Sequence, residues 1–396
     1  MRLSTALIYD TGINGMSRIQ SDLYKYQNQM STGRRVVTPA DDPVAAAQAL
    51  ATEQKQHVND QFLDNQGNAS AQLKELESLM ASVGETLVGL KDRWIQAGNG
   101  AYDEHQLQDI LVDVRAKFDQ ILGIANNADA HGQYRFAGFQ AGSQPFVVQS
   151  DGSVHYQGDE GERKLQVETS RFMTVNFSGR EFFEGIPQGN GIFVANPAAG
   201  NTGSGVIGNG SSVGGAGAFD GQNYTIRFTS ATGYDIEDSG GTVIGSGTYT
   251  SGADITGIPG VSIDIQGVPA AGDSFTVSPS RDESIFDSLQ NFMTALDSYS
   301  NGSPEFQNIM QRVGASLEQA IFHINDSRAI VGARMAEVES LTTLDQDLQV
   351  QYKQQISDLV DADYAELISS ISKSQLQLQA AQQSYVRITG LSLFSM

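Results

Sequence analysis

Near the C-terminus Tyr364, Leu367, Ile371, Leu378, Ala381, Tyr385 and Ile388 keep to alternating steps of three and four, with Ser374 in the remaining frame position. Such spacing makes a coiled-coil seam, an apolar stripe too narrow for a helix to fold on alone. From Asp345 to Thr389 there is neither Gly nor Pro, so the stretch reads as one long helix in need of a partner stripe. Ile13, Met16, Ile19, Leu23, Tyr26 and Met30 supply a matching one at the other end of the chain, stopping at Ser31-Thr32-Gly33. The two ends are therefore expected to pair.

The chain between them divides by period. Asp42 and Pro43 suit an N-cap and a first helical position, and Leu73, Leu76, Met80, Val83, Leu87, Leu90 and Trp94 continue as a heptad run. Leu107, Leu111, Val114, Phe118, Ile121 and Ala125 mark a further helix after a short turn, as antiparallel neighbours in a bundle do. From Tyr134 to Phe177 the period drops to two, with Gly158-Asp159-Glu160-Gly161 reading as a hairpin turn. Residues 185–280 hold more than half of the 42 glycines and, as their only basic residue, Arg227. Within them 198–217 reads as a low-complexity loop, followed by short strand-like alternations that make an antiparallel β domain. Ser280 to Glu283 has capping-box spacing ahead of the amphipathic run Ile285, Leu289, Phe292 and Leu296, and Ser303-Pro304 opens the last helical half. The expected fold class is α+β and multidomain. A helical stalk from both chain ends (1–42 with 345–396) continues into a bundle with a β-hairpin region (43–184 with 281–344), and 185–280 is an inserted β outer domain.

Composition narrows the function. A formal charge of −22 repels nucleic-acid backbones and anionic lipid surfaces, so neither nucleic acid nor membrane is an expected partner. With no cysteine there is no disulfide, thiol chemistry or Cys-type zinc site, as suits an exported protein. The start, Met1-Arg2-Leu3-Ser4-Thr5, is not a cleavable secretory signal, and no apolar run is long enough to span a membrane. The five histidines, His57, His105, His131, His155 and His323, show no i, i+4 pair, so no metal site is expected. Gly203-Ser204-Gly205-Val206-Ile207-Gly208 has dinucleotide-fingerprint spacing but lacks the flanking strand and helix that the chemistry requires, and no cofactor is expected. No nucleophile, base and oxyanion arrangement is visible, and the chain reads as a non-enzyme. The alternative in another class is a secreted glycan- or ligand-binding protein with a helical anchor.

The motifs Met1-Arg2-Leu3-Ser4-Thr5, Gln29 to Arg34, Asp41-Asp42-Pro43, Tyr134 to Gly138, Asp361 to Glu366 and Gly390 to Phe394 resemble those of the bacterial flagellin family, at both chain ends and across the whole length. Gly247 to Thr250 and Gly272 to Val277 resemble outer-domain segments of its junction members. The end motifs look more like a junction component than the filament subunit, which stays as the rival within the family. This resemblance implies a structural protein of the extracellular flagellum, exported through the flagellar type III channel and joining hook to filament. Its implied partners are the other hook-associated junction protein, flagellin and further copies of itself in a ring or helical layer. The implied assembly residues are Ile13, Met16, Ile19, Leu23, Tyr26, Met30, Tyr364, Leu367, Ile371, Leu378, Tyr385, Ile388, Leu391, Leu393 and Phe394. An export chaperone is implied on the C-terminal helix at Leu367, Ile371, Leu378 and Tyr385. Residues 1–40 and 345–396 are expected to order only in the assembly.

Overall fold

The computed structural model describes residues 5–100, 102–215, 217–298, 300 and 302–393. Among them the helices are α1 (Thr5–Thr32), α2 (Pro43–Ala97), α3 (Glu104–Ala125), α4 (Ile285–Ser298), α5 (Pro304–Val360) and α6 (Tyr364–Leu393). The chain forms two compact units, one of 1–66 with 340–396 and one of 67–339.

In the first unit the expected single C-terminal helix is two. α5 ends at Val360, Asp361 bridges Arg34, and Asp363 starts α6 by accepting the backbone N–H groups of Ala365 (2.8 Å) and Glu366 (3.3 Å). No Gly or Pro was needed to stop the helix. Backbone bonds to Gly33, Arg35 and Val36 outcompete helix continuation here, and a carboxylate cap restarts it. Residues 345–360 thus belong to α5. There, buried Asn59 and Gln66 of α2 donate to the Asp345 backbone carbonyl and carboxylate, and Gln349 donates to Asp60 (2.7 Å). A buried polar layer of this kind sets the register of a helix pair.

In the second unit the α2 seam from Leu73 to Leu90 is almost wholly buried, as are Val313, Leu317, Ala320, Ile324, Val331 and Val338 of α5. Gly314 permits the closest approach. A Cβ there would meet the Trp94 ring at 2.4 Å, while the Trp94 indole N–H donates to the Met310 carbonyl at 2.7 Å. α3 starts with a capping box, Asp103 and Gln106 bonding reciprocally at 2.9 Å.

The region after α3 holds two hairpins: β1 (Phe146–Val148) with β2 (Val154–Tyr156), and β3 (Lys164–Glu168) with β4 (Arg171–Thr174). Gly158 to Gly161 therefore links two hairpins and is not itself a hairpin turn. Tyr156 donates its hydroxyl to the Phe136 and Asp159 carbonyls (2.9 and 2.7 Å), pinning this link down. Phe136, Phe146, Phe182, Phe183 and Phe286 pack ring to ring with centroids 4.8 to 5.8 Å apart. Phe182 and Phe183 come from one π-helical turn, Arg180–Glu184.

The insertion enters on β5 (Ile186–Pro187), and its exit strand β15 (Asp282–Glu283) pairs with β5 as a two-stranded neck. The residues expected to form a capping box thus run into strand, and α4 starts after Ser284, whose hydroxyl accepts the Phe286 N–H at 3.3 Å. Between lie β6 (Phe193–Pro197), β7 (Val206–Ile207), β8 (Ser211–Ser212), β9 (Tyr224–Ser230), β10 (Gly233–Glu237), β11 (Val243–Thr248), β12 (Asp254–Ile255), β13 (Val261–Gln266) and β14 (Ser274–Pro279). One antiparallel sheet has the order β11-β10-β9-β14-β6. The other runs β12-β13-β7, with β8 also on β13. Phe193, Ile226, Phe228, Ile263, Ile265, Phe275 and Val277 form their shared core.

The 198–217 stretch is thus not wholly loop, since β7 and β8 lie in it. Two polar side chains hold it. Asp273, 2% exposed, accepts the backbone N–H groups of Thr202 (2.8 Å), Gly203 (3.0 Å) and Ala270 (2.8 Å). Burial works against this carboxylate, but those donors outweigh it and lower its pKa. Asn308 of α5 receives the Ile207 N–H and donates to the Gly205 carbonyl, both at 3.0 Å, tying the β region to the helix. Replacing Asp273 by Ala leaves three backbone donors without this acceptor and is expected to cost about 1–3 kcal/mol. Hydrogen-exchange mass spectrometry on the full chain should show faster exchange at 200–205 and at Ala270, with α2 unchanged.

Candidate assembly surface

α1 and α6 lie antiparallel. Gly33 at the end of α1 faces the Tyr364 hydroxyl at the start of α6, and Gly12 faces the Tyr385 ring, where a Cβ would sit 3.0 Å from the ring carbon. Tyr9 meets Tyr385 edge to face with centroids 6.0 Å apart. Leu367 and Ser374 are buried in the pair, and Met16, Ile19, Leu23, Tyr26, Met30, Ile371, Leu378 and Tyr385 are half-buried. Ile13, Tyr364 and Ile388 are exposed, and at the α1 position opposite Tyr385 it is Gly12, not Ile13, that makes the contact. Gly12, four residues before Met16 and seven before Ile19, holds the heptad position, whereas Ile13 lies one residue off that frame and so falls on the flank. Leu391 and Leu393 fall on α6, but their side chains and all of Phe394 lie outside the described residues.

The joint beside this pair is built from backbone. Arg35 and Val36 donate their N–H groups to the Val360 carbonyl (2.7 and 3.2 Å), and Ala362 donates to the Gly33 carbonyl (3.0 Å). Gly33 takes φ +70°, a conformation that residues with a Cβ rarely adopt. The Arg35 guanidinium reaches both the Leu359 carbonyl (2.6 Å) and Asp42 (3.1 Å). Asp41 accepts from the N–H groups of Val37 and Thr38 and from the Thr38 hydroxyl, and pairs with Lys25 at 3.0 Å. The Thr38 backbone donor first, and then Lys25, pull its pKa from 3.8 to about 2. Val36, Ala45, Ala49 and Val360 close a small apolar cluster beneath. This is the part of Gln29 to Arg34 and Asp41-Asp42-Pro43 that sequence spacing left unexplained.

A second apolar set points outward and was not read from the heptads. Tyr24 (79% exposed), Leu376 (68%) and Val386 (67%) stand in solvent, together with Leu7 and Ile368. Tyr9, Gly12, Gly15, Met16, Ile19, Ala381, Tyr385 and Ile388 line an apolar groove of about 250 Å³ on the same pair. These side chains leave apolar surface uncovered on the two-helix pair. A signal for it was present: Ile368, Leu376 and Val386 fall off the seam frame yet share one broad face of α6.

A cleft of about 830 Å³ lies in the second unit, lined by His155, Glu160, Glu162, Glu184, Asp287, His323 and Arg334 among others. His323 contacts the Glu181 carbonyl (2.8 Å), and burial raises the Glu184 pKa. Glu283, close by, is likewise raised by burial although Ser316 donates to it (3.1 Å). The described residues contain no group of three or more His, Cys, Asp or Glu placed to hold a metal ion. None of their helices is long and apolar enough to cross a membrane.

With this geometry established, the family is plain. The bacterial flagellin N-terminal helical region matches residues 3–141 and the bacterial flagellin C-terminal helical region matches residues 315–395, together more than half of the chain. The chain belongs to the bacterial flagellin family. Within it, the chain is similar to flagellar hook-associated protein 3 of Escherichia coli K12, at 27% identity over 100% of this chain and 99% of that protein. The same protein of Salmonella typhimurium LT2 is 25% identical over the same shares. Among solved structures, the flagellar junction protein FlgL from Legionella pneumophila superposes with a TM-score of 0.72 at 28% identity, covering 79% of this chain and 100% of that one. FlgL from Xanthomonas campestris gives 0.71 at 28% identity, over 77% and 99%.

Two outcomes follow for the joint and the cleft. Because the folded pKa of Asp41 is depressed, its contribution is fully present above about 3.8 and disappears as pH falls toward about 2. Asp41→Asn should therefore lower the stability of the α1–α6 region at neutral pH by about 0.5–1 kcal/mol and flatten its acid limb, read by amide exchange of α1 at pH 2 to 6. Glu283 has the opposite sign. Its raised pKa contributes stability below 4.5 that is lost as pH rises through the folded value. In urea melts followed by Trp94 fluorescence, Glu283→Gln should show a smaller fall in midpoint above pH 4.5 than the parent chain.

Proposed function

We propose that this chain is a structural component of the bacterial flagellum that joins hook to filament and assembles through α1 and α6. The observation that carries the reading is the outward apolar set of Tyr24, Ile368, Leu376 and Val386 on a helix pair made from both chain ends, in a chain similar over its whole length to hook-associated protein 3. Two helices sharing a narrow seam bury too little to stand alone, and neighbours in a polymer cover the rest. The glutamine-rich face of α6 lets them do so without burying ions.

The neighbours in this reading are the other hook-associated junction protein on one side, flagellin on the other, and further copies of this chain alongside. Before assembly the protein leaves the cell through the flagellar type III channel. An export chaperone covers Leu367, Ile371, Leu378 and Tyr385 until then, since an exposed apolar helix face otherwise aggregates. In the isolated monomer, amides of α1 and α6 exchange faster than those of residues 73–125.

A strain lacking the protein should make hooks but shed flagellin into the medium. Complementation with the double variant Leu367→Asp, Tyr385→Ala should leave that defect uncorrected while Trp94 fluorescence shows an intact bundle. Long filaments grown by the purified chain unaided would instead identify a filament subunit, and filaments retained by the deletion strain would sink the junction role.

A further inference from the structure

The five-stranded sheet has two edges, and they are treated differently. The β6 edge ends in Pro197, and Asn196 on it receives the Arg312 guanidinium of α5 at 3.4 Å. Proline and a nearby cation are ordinary guards against strand addition. The β11 edge has neither. From Ser239 to Ala253 the chain carries no charged residue and no proline, although the molecule as a whole has a formal charge of −22. Val243, Ile244, Ser246 and Thr248 are exposed, and among the described residues the only strand bonded to β11 is β10.

We propose that β11 is a docking edge for a second copy of this chain, the two β11 strands pairing antiparallel about a two-fold axis to continue the sheet from one copy into the other. Charge decides the occupant. Most contacts between two such acidic molecules set carboxylates against carboxylates, whereas this edge presents none. Asp235 and Glu237 lie one strand in, on β10, so in the pair the two β10 strands are three strand spacings apart, about 14 Å. That exceeds the Debye length of about 8 Å at physiological salt, and the repulsion is screened. Isologous pairing also requires a self-complementary strand, which an uncharged Val-Ile-Gly-Ser-Gly-Thr run is. Six residues bury little area, so the contact is weak and depends on local concentration. It uses no residue of α1 or α6 and is separate from the assembly proposed above.

Amide exchange of the full chain tests it, comparing about 10 µM with about 1 mM protein, a range that brackets weak association. Every second amide of 243–248 should slow at least about fivefold at the higher concentration, as outward N–H groups gain acceptors. Ser246→Lys should abolish the effect. Its lysine sits opposite Asp235 and is tolerated within one sheet, but brings two ammonium groups together in the pair. Ser150→Lys, the same charge change in the β1–β2 turn, should preserve the effect, and unchanged β9 amides report that the variants are folded. Concentration-independent exchange at 243–248, or protection that survives Ser246→Lys, would overturn the pairing. Protection confined to α1 and α6 would do so too while leaving the proposed function standing.

Discussion

Three backbone hydrogen bonds tie the beginning of this chain to its end. Arg35 and Val36 share the Val360 carbonyl, and Ala362 bonds to Gly33, across more than three hundred residues of sequence. They do two things that side-chain packing does not. They stop α5 at a place where its own propensity would carry it on, and they set α6 antiparallel to α1 in the register that puts Gly12 under Tyr385. Buried or half-buried backbone groups must be paired, so once Gly33 adopts its positive φ the local geometry has few alternatives. The carboxylates of Asp41, Asp42 and Asp363 then cap the loops and helix starts that these bonds create.

Most of the architecture was legible because it rests on period. The seams of α1, α2, α5 and α6, the switch to alternation after Ala125, and the Gly-rich insertion are each a repeat that a reader can count. What was missed rests on pairs distant in sequence. The break at 361–363 has no Gly or Pro and is made by residues 33–36. β7 and β8, in a Gly/Ser run, exist because β13 offers them partners and because Asp273 and Asn308 hold the connecting loop. β15 occupies what looked like a capping box because β5, nearly a hundred residues earlier, completes its ladder. Non-local bonding overrides local propensity at each of these points.

The proposed assembly surface was half legible. The steps of three and four located most of the inward residues, but Ile13 lies one residue off the heptad frame, which Gly12 occupies. The outward set of Tyr24, Ile368, Leu376 and Val386 stayed hidden because a seam search discards apolar residues that fall off the frame. Those off-frame residues are the ones a neighbour can reach. Polar design is similarly divided in the second unit, where Asp273 and Asn308 are structural despite being buried and hydrogen-bonded in the manner of catalytic groups. Their partners are backbone amides and carbonyls, most of them between Thr202 and Ile207, which gives them a mechanical task.

Building the joining surface from both ends has a consequence in time. α1 meets α6 only when residues more than three hundred positions apart have come together, the slowest and entropically costliest kind of contact. A chain cut short just before Tyr364 keeps every element of its bundle and sheets but has nothing to lay against α1. In the proposed assembly, competence to join is thereby conditional on possession of both ends.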